Sequence, residues 1–524
     1  MKPLNKTKNN AKVEEMPKNL NTYLGQKGYT VLKSELTIAQ QTFIKEQLTV
    51  KPYVPGSPVQ LQNSFPAYRE SDKKLYIPRY YGEEIFGKAN QYKLTEGDNI
   101  DIKFEGTLRP EQEPVVSIFL QHVQNGGGGL LELPCGFGKT SISLYIWSQL
   151  KKKTLVIVHK EFLMNQWIER IQQFLPTAKI GKIQGQIIDI EGKDIVLCML
   201  QSLSMKDYPS SLFDSFGLTI IDEVHHISSE VFSNALFKLV TKYMLGLSAT
   251  MNRSDGTTKV FKMFLGPVVF KKERSKDEKV IVRGITFQTN DEEYNELLLD
   301  FRGKPASSKM LSKICAYNRR TEFILSVLKD MLAENSKQQI MVIASYRNIL
   351  QYIFDAITHK NMATVGFYVG GMKESALKTT ESKQVVLATF SMASEGLDIK
   401  SLSTLFMITP MTKIEQSVGR ILRQKHEFNP VVVDIIDTHA NFQRQWVKRK
   451  AFYKSQNYKI IQTTSSAYVP DSTKWKVVYE PTTQTQKQAV TKCPAELSDD
   501  SDEDDFEEEE EQKNAGKCLL KFKK

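Results

Sequence analysis

Short apolar runs that stop at small, polar or acidic residues recur along this chain, and they narrow its choice of fold more than any other feature. A first series covers residues 130–133, 155–158, 195–198, 218–221 and 244–247. Runs this short, without a polar alternate face, suit strands buried on both sides as in parallel sheets. Helix-compatible stretches at 140–150 and 161–174 lie between them. The alternation predicts βαβ units wound into an α/β lobe over 106–275. A second series, 340–344, 365–369, 385–388, 405–408 and 431–436, predicts a second such lobe over 276–455. No short sequence period relates the two, which argues against a solenoid or propeller.

The flanks read differently. Residues 1–20 are expected to be a flexible N-terminus, rich in Lys and Asn and without the apolar core of a secretion signal. Residues 21–105 mix aromatics with Pro52, Pro55, Pro58, Pro66 and Pro78, a pattern of strands and turns expected to form a small, separate mixed domain. Beyond 455, Thr, Ser, Gln and Lys displace the apolar pattern, so 456–524 is expected to be a disordered tail carrying an acidic run at 499–512.

That run holds eleven acids, and without it the formal charge of +11 becomes +22 for the rest of the chain. A basic body suits a polyanionic partner, although a well-solvated surface has the same composition. The acidic run itself suits solubility or the docking of a basic partner. Five scattered cysteines with no CxxC pair argue for reduced thiols rather than a zinc ribbon or disulfide framework. No apolar run approaches the ~20 residues of a membrane span, so a soluble intracellular protein without a membrane partner is expected.

Leu133-Pro134-Cys135-Gly136-Phe137-Gly138-Lys139-Thr140 follows a predicted strand and precedes a predicted helix, as a phosphate-binding loop requires. Gly136 and Gly138 would let backbone N–H groups approach phosphates, Lys139 would neutralise their oxygens and Thr140 would ligate Mg²⁺. The helix N-terminus adds a field that favours anions. Leu133 stands where the strict GxxxxGK[ST] pattern has its first glycine, while the later GxGK[ST] part is intact. A second apolar run, Leu218-Thr219-Ile220-Ile221, delivers Asp222 and Glu223 at its carboxyl end, where α/β ligands bind. Asp222 suits Mg²⁺ and Glu223 suits a base for an attacking water. Adjacent acids at strand ends are common by themselves; the loop upstream gives these their meaning.

Asp222-Glu223-Val224-His225 and Ser248-Ala249-Thr250 resemble motifs II and III of DEAH-like superfamily 2 helicases. The resemblance implies tandem RecA-like lobes, ATP with Mg²⁺ as cofactors, and His225, Ser248, Ala249 and Thr250 as coupling residues. Arg109-Pro110-Glu111-Gln112 resembles the Q-type motif, in which Gln112 would read adenine and Arg109 assist. Gln416-Ser417-Val418-Gly419-Arg420-Ile421-Leu422-Arg423 is similar to motif VI. Gln416 would line the nucleotide site, and Arg420 and Arg423, three apart on one expected helix face, would act as arginine fingers. Ser394-Glu395-Gly396-Leu397-Asp398 resembles motif V, with Gly396 and Asp398 at the nucleotide. His159, Lys160, Gln201, Ser202 and Thr389 would carry nucleic-acid backbone contacts.

Within the superfamily, these motifs resemble the xeroderma pigmentosum group B branch of DNA helicases. The segments 44–50 and 74–82 resemble the entry region of the transcript-release helicases of poxviruses and other large DNA viruses. That resemblance implies DNA as partner, a transcription complex as target, and a host cytoplasm, virus factory or virion location. One departure stands out: the Arg-Glu-Asp element of the branch is Arg253-Ser254-Asp255 here. An RNA helicase and a non-catalytic nucleic-acid-binding scaffold are the alternatives; intact Lys139, Glu223, Arg420 and Arg423 argue against the scaffold.

Overall fold

The computed structural model describes residues 16–17, 20–53 and 64–482, apart from 228, 252, 254, 274–277, 302, 396 and 398. The acidic run and the first fifteen residues lie outside this range. The chain divides between Glu273 and Arg274 into two compact units. Among the described residues no helix is long and apolar enough to cross a membrane.

The first unit begins with a small mixed domain. Its strands are β1 (Thr22–Gly25), β2 (Gly28–Leu32), β3 (Thr49–Val50), β4 (Phe65–Pro66), β5 (Arg69–Glu70), β6 (Lys74–Ile77) and β7 (Gln91–Tyr92). Five of them form a sheet in the order β5-β6-β2-β1-β7, and β3 pairs with β4. The prolines act as punctuation: Pro66 sits in the two-strand ribbon and Pro78 precedes helix Arg79–Phe86. The expectation of a separate domain is corrected by its core. Leu24, Tyr29 and Ile77 belong to one buried cluster with Leu155, Val196, Phe237 and Phe264 of the lobe that follows. A sheet this small has too little apolar surface of its own and completes its core on its neighbour.

Lobe one contains β8 (Gly128–Glu132), β9 (Thr154–Val158), β10 (Ile180–Gln184), β11 (Ile187–Asp189), β12 (Ile195–Met199), β13 (Leu218–Ile221), β14 (Tyr243–Ser248) and β15 (Val268–Lys271). Their order is β11-β10-β12-β9-β13-β14-β8-β15. All pairings are parallel except the β10–β11 hairpin. Every residue of β9 and β13 is buried, and the pleat sends Leu155 and Ile157 to one core and Val156 and Val158 to the other. This order sets β13, β14 and β8 side by side, so the segments leaving their carboxyl ends are neighbours.

Lobe two, in the second unit, contains β16 (Ile281–Phe287), β17 (Gln339–Ala344), β18 (Val365–Tyr368), β19 (Val385–Thr389), β20 (Leu402–Met407), β21 (Val431–Asp437), β22 (Lys459–Thr464) and β23 (Lys476–Tyr479). The order is β18-β19-β17-β20-β21-β16-β22-β23, parallel except for β23. The architecture is α/β with tandem RecA-like lobes, as the apolar runs predict. The expected tail from 456 is corrected: β22 and β23 extend the sheet, with Ile460, Ile461, Tyr458 and Trp475 buried. β22 is buried only at Ile460 and Ile461 and the edge strand β23 is exposed or half-buried throughout, so polar residues fill the rest and mask the strand signal. Two buried ion pairs flank β21. Asp434 accepts from Arg449 Nε and Nη2 at 2.8 and 2.9 Å, and Asp437 accepts from Arg320 Nε and Nη2 at 2.6 and 2.8 Å.

Candidate active site

The phosphate loop leaves β8 and turns into helix Lys139–Leu150. Gly136 and Gly138 have φ of +79° and +89°, a left-handed backbone that L side chains rarely adopt. A Cβ on Gly138 would also stand 2.4 Å from Gln112 Nε2. Gln112 closes on the loop from behind. Its Nε2 donates to Phe137 O at 2.7 Å, and its Oε1 accepts from Arg109 N at 2.9 Å. Arg109 Nη2 donates to the same Phe137 carbonyl at 2.5 Å, and the guanidinium lies over the Phe137 ring. The residues expected to meet the base therefore brace the phosphate loop as well, a role the sequence alone does not reveal.

Asp222 and Glu223 leave β13 and face the loop. Lys139 Nζ lies 3.0 Å from Glu223 Oε1, with both side chains largely buried. Burial alone would lower the Lys139 pKa; Glu223, Cys135 and Asp222 outweigh it and hold the ammonium above the ordinary lysine range. Asp222 moves the other way. Burial, reinforced by the charge of Glu223, pushes it up to about 6 against the pull of Lys139. Two donors restrain that rise: Trp167 Nε1 at 2.8 Å from Oδ2 and Glu223 N at 2.9 Å from Oδ1.

A buried carboxylate with a raised pKa beside the Thr140 segment is a donor set that a divalent cation would relieve. Among the described residues no group of three or more His, Cys, Asp or Glu could hold a metal alone. The residues expected to hold Mg²⁺, Thr140 and Asp222, would supply one hydroxyl and one carboxylate.

Glu223 itself has φ 46° and ψ 52°, a left-handed conformation that costs a non-glycine residue roughly 1–2 kcal/mol. The turn that follows is tied to the carboxyl end of β14. His225 Nδ1 lies 2.7 Å from Ser248 Oγ and 3.4 Å from Glu223 Oε2. Ser248 donates onward to Thr250 O and accepts from Thr250 N. The expected coupling residues His225, Ser248 and Thr250 thus form one chain to Glu223.

The nucleic-acid candidates of lobe one sit at the carboxyl ends of neighbouring strands β9 and β12. Gln201 Nε2 donates to His159 O at 2.9 Å, Lys160 caps helix Glu161–Phe174, and Ser202 Oγ accepts from Gly185 N at 3.0 Å. Thr389 ends β19 in lobe two, its Oγ1 3.4 Å from Ser391 Oγ.

In lobe two the arginine pair is not on one helix face. Helix Glu415–Arg420 ends at the first arginine, and Arg423 falls in the turn beyond. Arg420 is buried and donates from Nε to Ala393 O at 2.7 Å, from Nη1 to Leu397 O at 2.9 Å and from Nη2 to Ser394 O. Those bonds anchor the helix end and stop its continuation. Gln416 lies in the first turn of this helix; Gly396 and Asp398 lie outside the described residues. Two contributors escape sequence reading: Trp167, which the periodicity marks only as core, and Arg253, which stands out there only through its altered neighbour.

The family model described as type III restriction enzyme, res subunit, matches residues 105–253. L396 of Acanthamoeba polyphaga mimivirus, which bears the name of an ATP-dependent RNA helicase, is 36% identical over 475 residues, covering 88% of this chain and 90% of that protein. The chain belongs to the superfamily 2 helicases. A more distant relative of this helicase, QP509L of African swine fever virus (isolate Pig/Kenya/KEN-50/1950), bears a similar name; it is 25% identical over 410 residues, covering 74% and 80% of the two chains. The 161L protein of Invertebrate iridescent virus 6, also named a helicase, is 26% identical over 383 residues, covering 69% of this helicase and 85% of its relative.

Proposed function

We propose that this helicase is a nucleic-acid-stimulated ATPase that tracks along DNA and releases nascent transcripts from a transcription complex in a virus-infected cell. The observation that carries the ATPase is the cluster of Lys139, Asp222 and Glu223 at the phosphate loop. The preference for DNA and for transcript release rests on the resemblance of the motifs and of segments 44–50 and 74–82 to the group B branch and its viral members.

ATP would enter over the loop braced by Gln112 and Arg109. Lys139 would turn from Glu223 to the β- and γ-phosphates, leaving Glu223 to orient and deprotonate the attacking water. Thr140 and Asp222 would hold Mg²⁺, which supplies positive charge to the phosphoryl oxygens. Arg420 and Arg423 would stabilise charge on the γ-phosphate, and Arg420 would first have to leave three backbone carbonyls. Arginine fingers are worth on the order of 10³ to 10⁵ in rate. Lys160, Gln201, Ser202 and Thr389 would grip the nucleic-acid backbone, so binding should be salt-sensitive and indifferent to sequence.

RNA as the track is the second reading, supported by the names that L396 and QP509L bear. ATP turnover measured side by side with single-stranded DNA, duplex DNA, RNA and a stalled transcription complex decides between them. Stimulation by RNA alone would replace the DNA assignment, and an unaffected stalled complex would remove transcript release.

A further inference from the structure

The loop after β14 reaches back to the turn that carries Glu223, and one side chain makes the connection. Arg253 Nη1 donates to His225 O at 2.5 Å and to Ile227 O at 2.9 Å. The other edge of the guanidinium is gripped by Asp255: Nε lies 3.0 Å from Oδ1, and Nη2 lies 2.5 Å from Oδ2. Asp255 is itself fixed, accepting from Thr257 N at 3.0 Å and Thr257 Oγ1 at 2.7 Å. The planar face of Arg253 lies over the Phe261 ring, 5.5 Å from its centroid. Every edge and one face of the guanidinium are therefore determined, as a planar fork permits and an ammonium does not.

The two carbonyls it binds lie two and four residues after the left-handed Glu223. Left alone, a glutamate relaxes to negative φ, which would re-aim its carboxylate away from Lys139. From the same side, Ser248 holds the His225 ring. Arg253 binds the backbone of that turn at two carbonyls and so resists the relaxation.

We propose that Arg253 is a positioning residue of the ATPase, holding Glu223 in its left-handed, water-facing conformation through the His225 and Ile227 carbonyls. Asp255 orients Arg253 for that task. This rests on the ATPase reading above. The contacts described run through the first and third positions of the altered element, Arg253 and Asp255. The backbone of the accessory segment meets the same loop, Tyr53 N donating to Asp255 O at 3.0 Å.

The test is steady-state ATP turnover of the full chain, with and without a single-stranded oligonucleotide, for Arg253→Ala, Arg253→Lys and Asp255→Asn. A base displaced by a fraction of an ångström should lower kcat by about 10- to 100-fold in both Arg253 variants. KM for ATP and oligonucleotide affinity should stay within about twofold, since the phosphate loop and the backbone grip are untouched. Added guanidinium ion should restore part of the turnover of Arg253→Ala, which a merely unfolded variant would not show. Asp255→Asn, close in shape, carries the same test with a smaller loss if Arg253→Ala does not fold. Unchanged kcat in a folded Arg253 variant overturns the proposal. So does intact turnover without oligonucleotide accompanied by lost stimulation, which would place the element on the nucleic acid. A wild-type chain with no turnover under any condition overturns the ATPase reading and this one with it.

Discussion

Lys139 Nζ sits 3.0 Å from Glu223 Oε1, so the phosphate-binding cation and the acid that would serve as base neutralise one another before nucleotide arrives. Phosphates and carboxylate then compete for a single ammonium. In the proposed cycle that pair would have to open before Glu223 could act on water.

Lys139→Ala and Glu223→Gln should each reduce ATP turnover by at least about 10²-fold. They differ in binding. Removing Lys139 should weaken ATP severely, whereas Glu223→Gln removes only the competitor and should leave affinity unchanged or tighter. Titration with a fluorescent ATP analogue separates the two, and wild-type turnover in either variant would sink the assignment.

Trp167→Phe deletes the indole donor to Asp222 and keeps most of the ring. Loss of a hydrogen bond to a charged group costs about 1.5–3 kcal/mol, readable in urea melts. Because the indole orients the carboxylate that would hold Mg²⁺, half-maximal activation should also need several-fold more Mg²⁺. A variant that melts early yet shows the same Mg²⁺ dependence would make Trp167 a packing residue only.

The raised pKa of Asp222, about 6 against an ordinary 3.8, has a definite sign in stability. The folded chain holds this proton more tightly than the unfolded chain does. The resulting contribution is full below about pH 3.8 and is lost as the pH rises through about 6. Melting temperature in EDTA should carry this falling component between pH 4 and 6, and Mg²⁺ with a non-hydrolysable nucleotide should remove it. Asp222→Asn is the control in which the Mg²⁺ effect disappears.

The two arginines of lobe two should separate under substitution. Arg423→Ala is expected to lower kcat by on the order of 10³-fold with a smaller loss of melting temperature than Arg420→Ala. Arg420→Ala strips donors from three carbonyls and should also destabilise the fold, by about 1–3 kcal/mol for each buried group left without a partner. Equal melting temperatures for both variants would refute the bracing role of Arg420.

Much of this molecule can be read directly from its residues. The uninterrupted apolar runs at 154–158 and 218–221 are strands because nothing but a doubly covered sheet buries both sides of them. Glycines at 136 and 138 announce the loop because no other residue adopts its backbone. What escapes reading is partnership. Trp167 looks like any core aromatic until the fold sets its N–H against Asp222. Arg253 stands out only as part of an altered element until the chain returns it to the turn after Glu223. The three carbonyls that Arg420 binds are likewise absent from the sequence pattern. The strands at 459–464 and 476–479 stay hidden because their incompletely buried positions tolerate Lys, Thr and Gln.

The aspartates of β21 lie three residues apart, so the pleat sends Asp434 and Asp437 to opposite faces of the sheet. Helix Ala440–Ser455 answers one with Arg449, and helix Asn318–Glu334 answers the other with Arg320. Either helix sliding along the strand by a single residue would strand a charge in the interior, a loss of about 3–5 kcal/mol per broken pair. The layers of this lobe are therefore pinned in register like plates on two dowels. Force generated at any one of its loops is delivered by the whole lobe rather than dissipated between its layers.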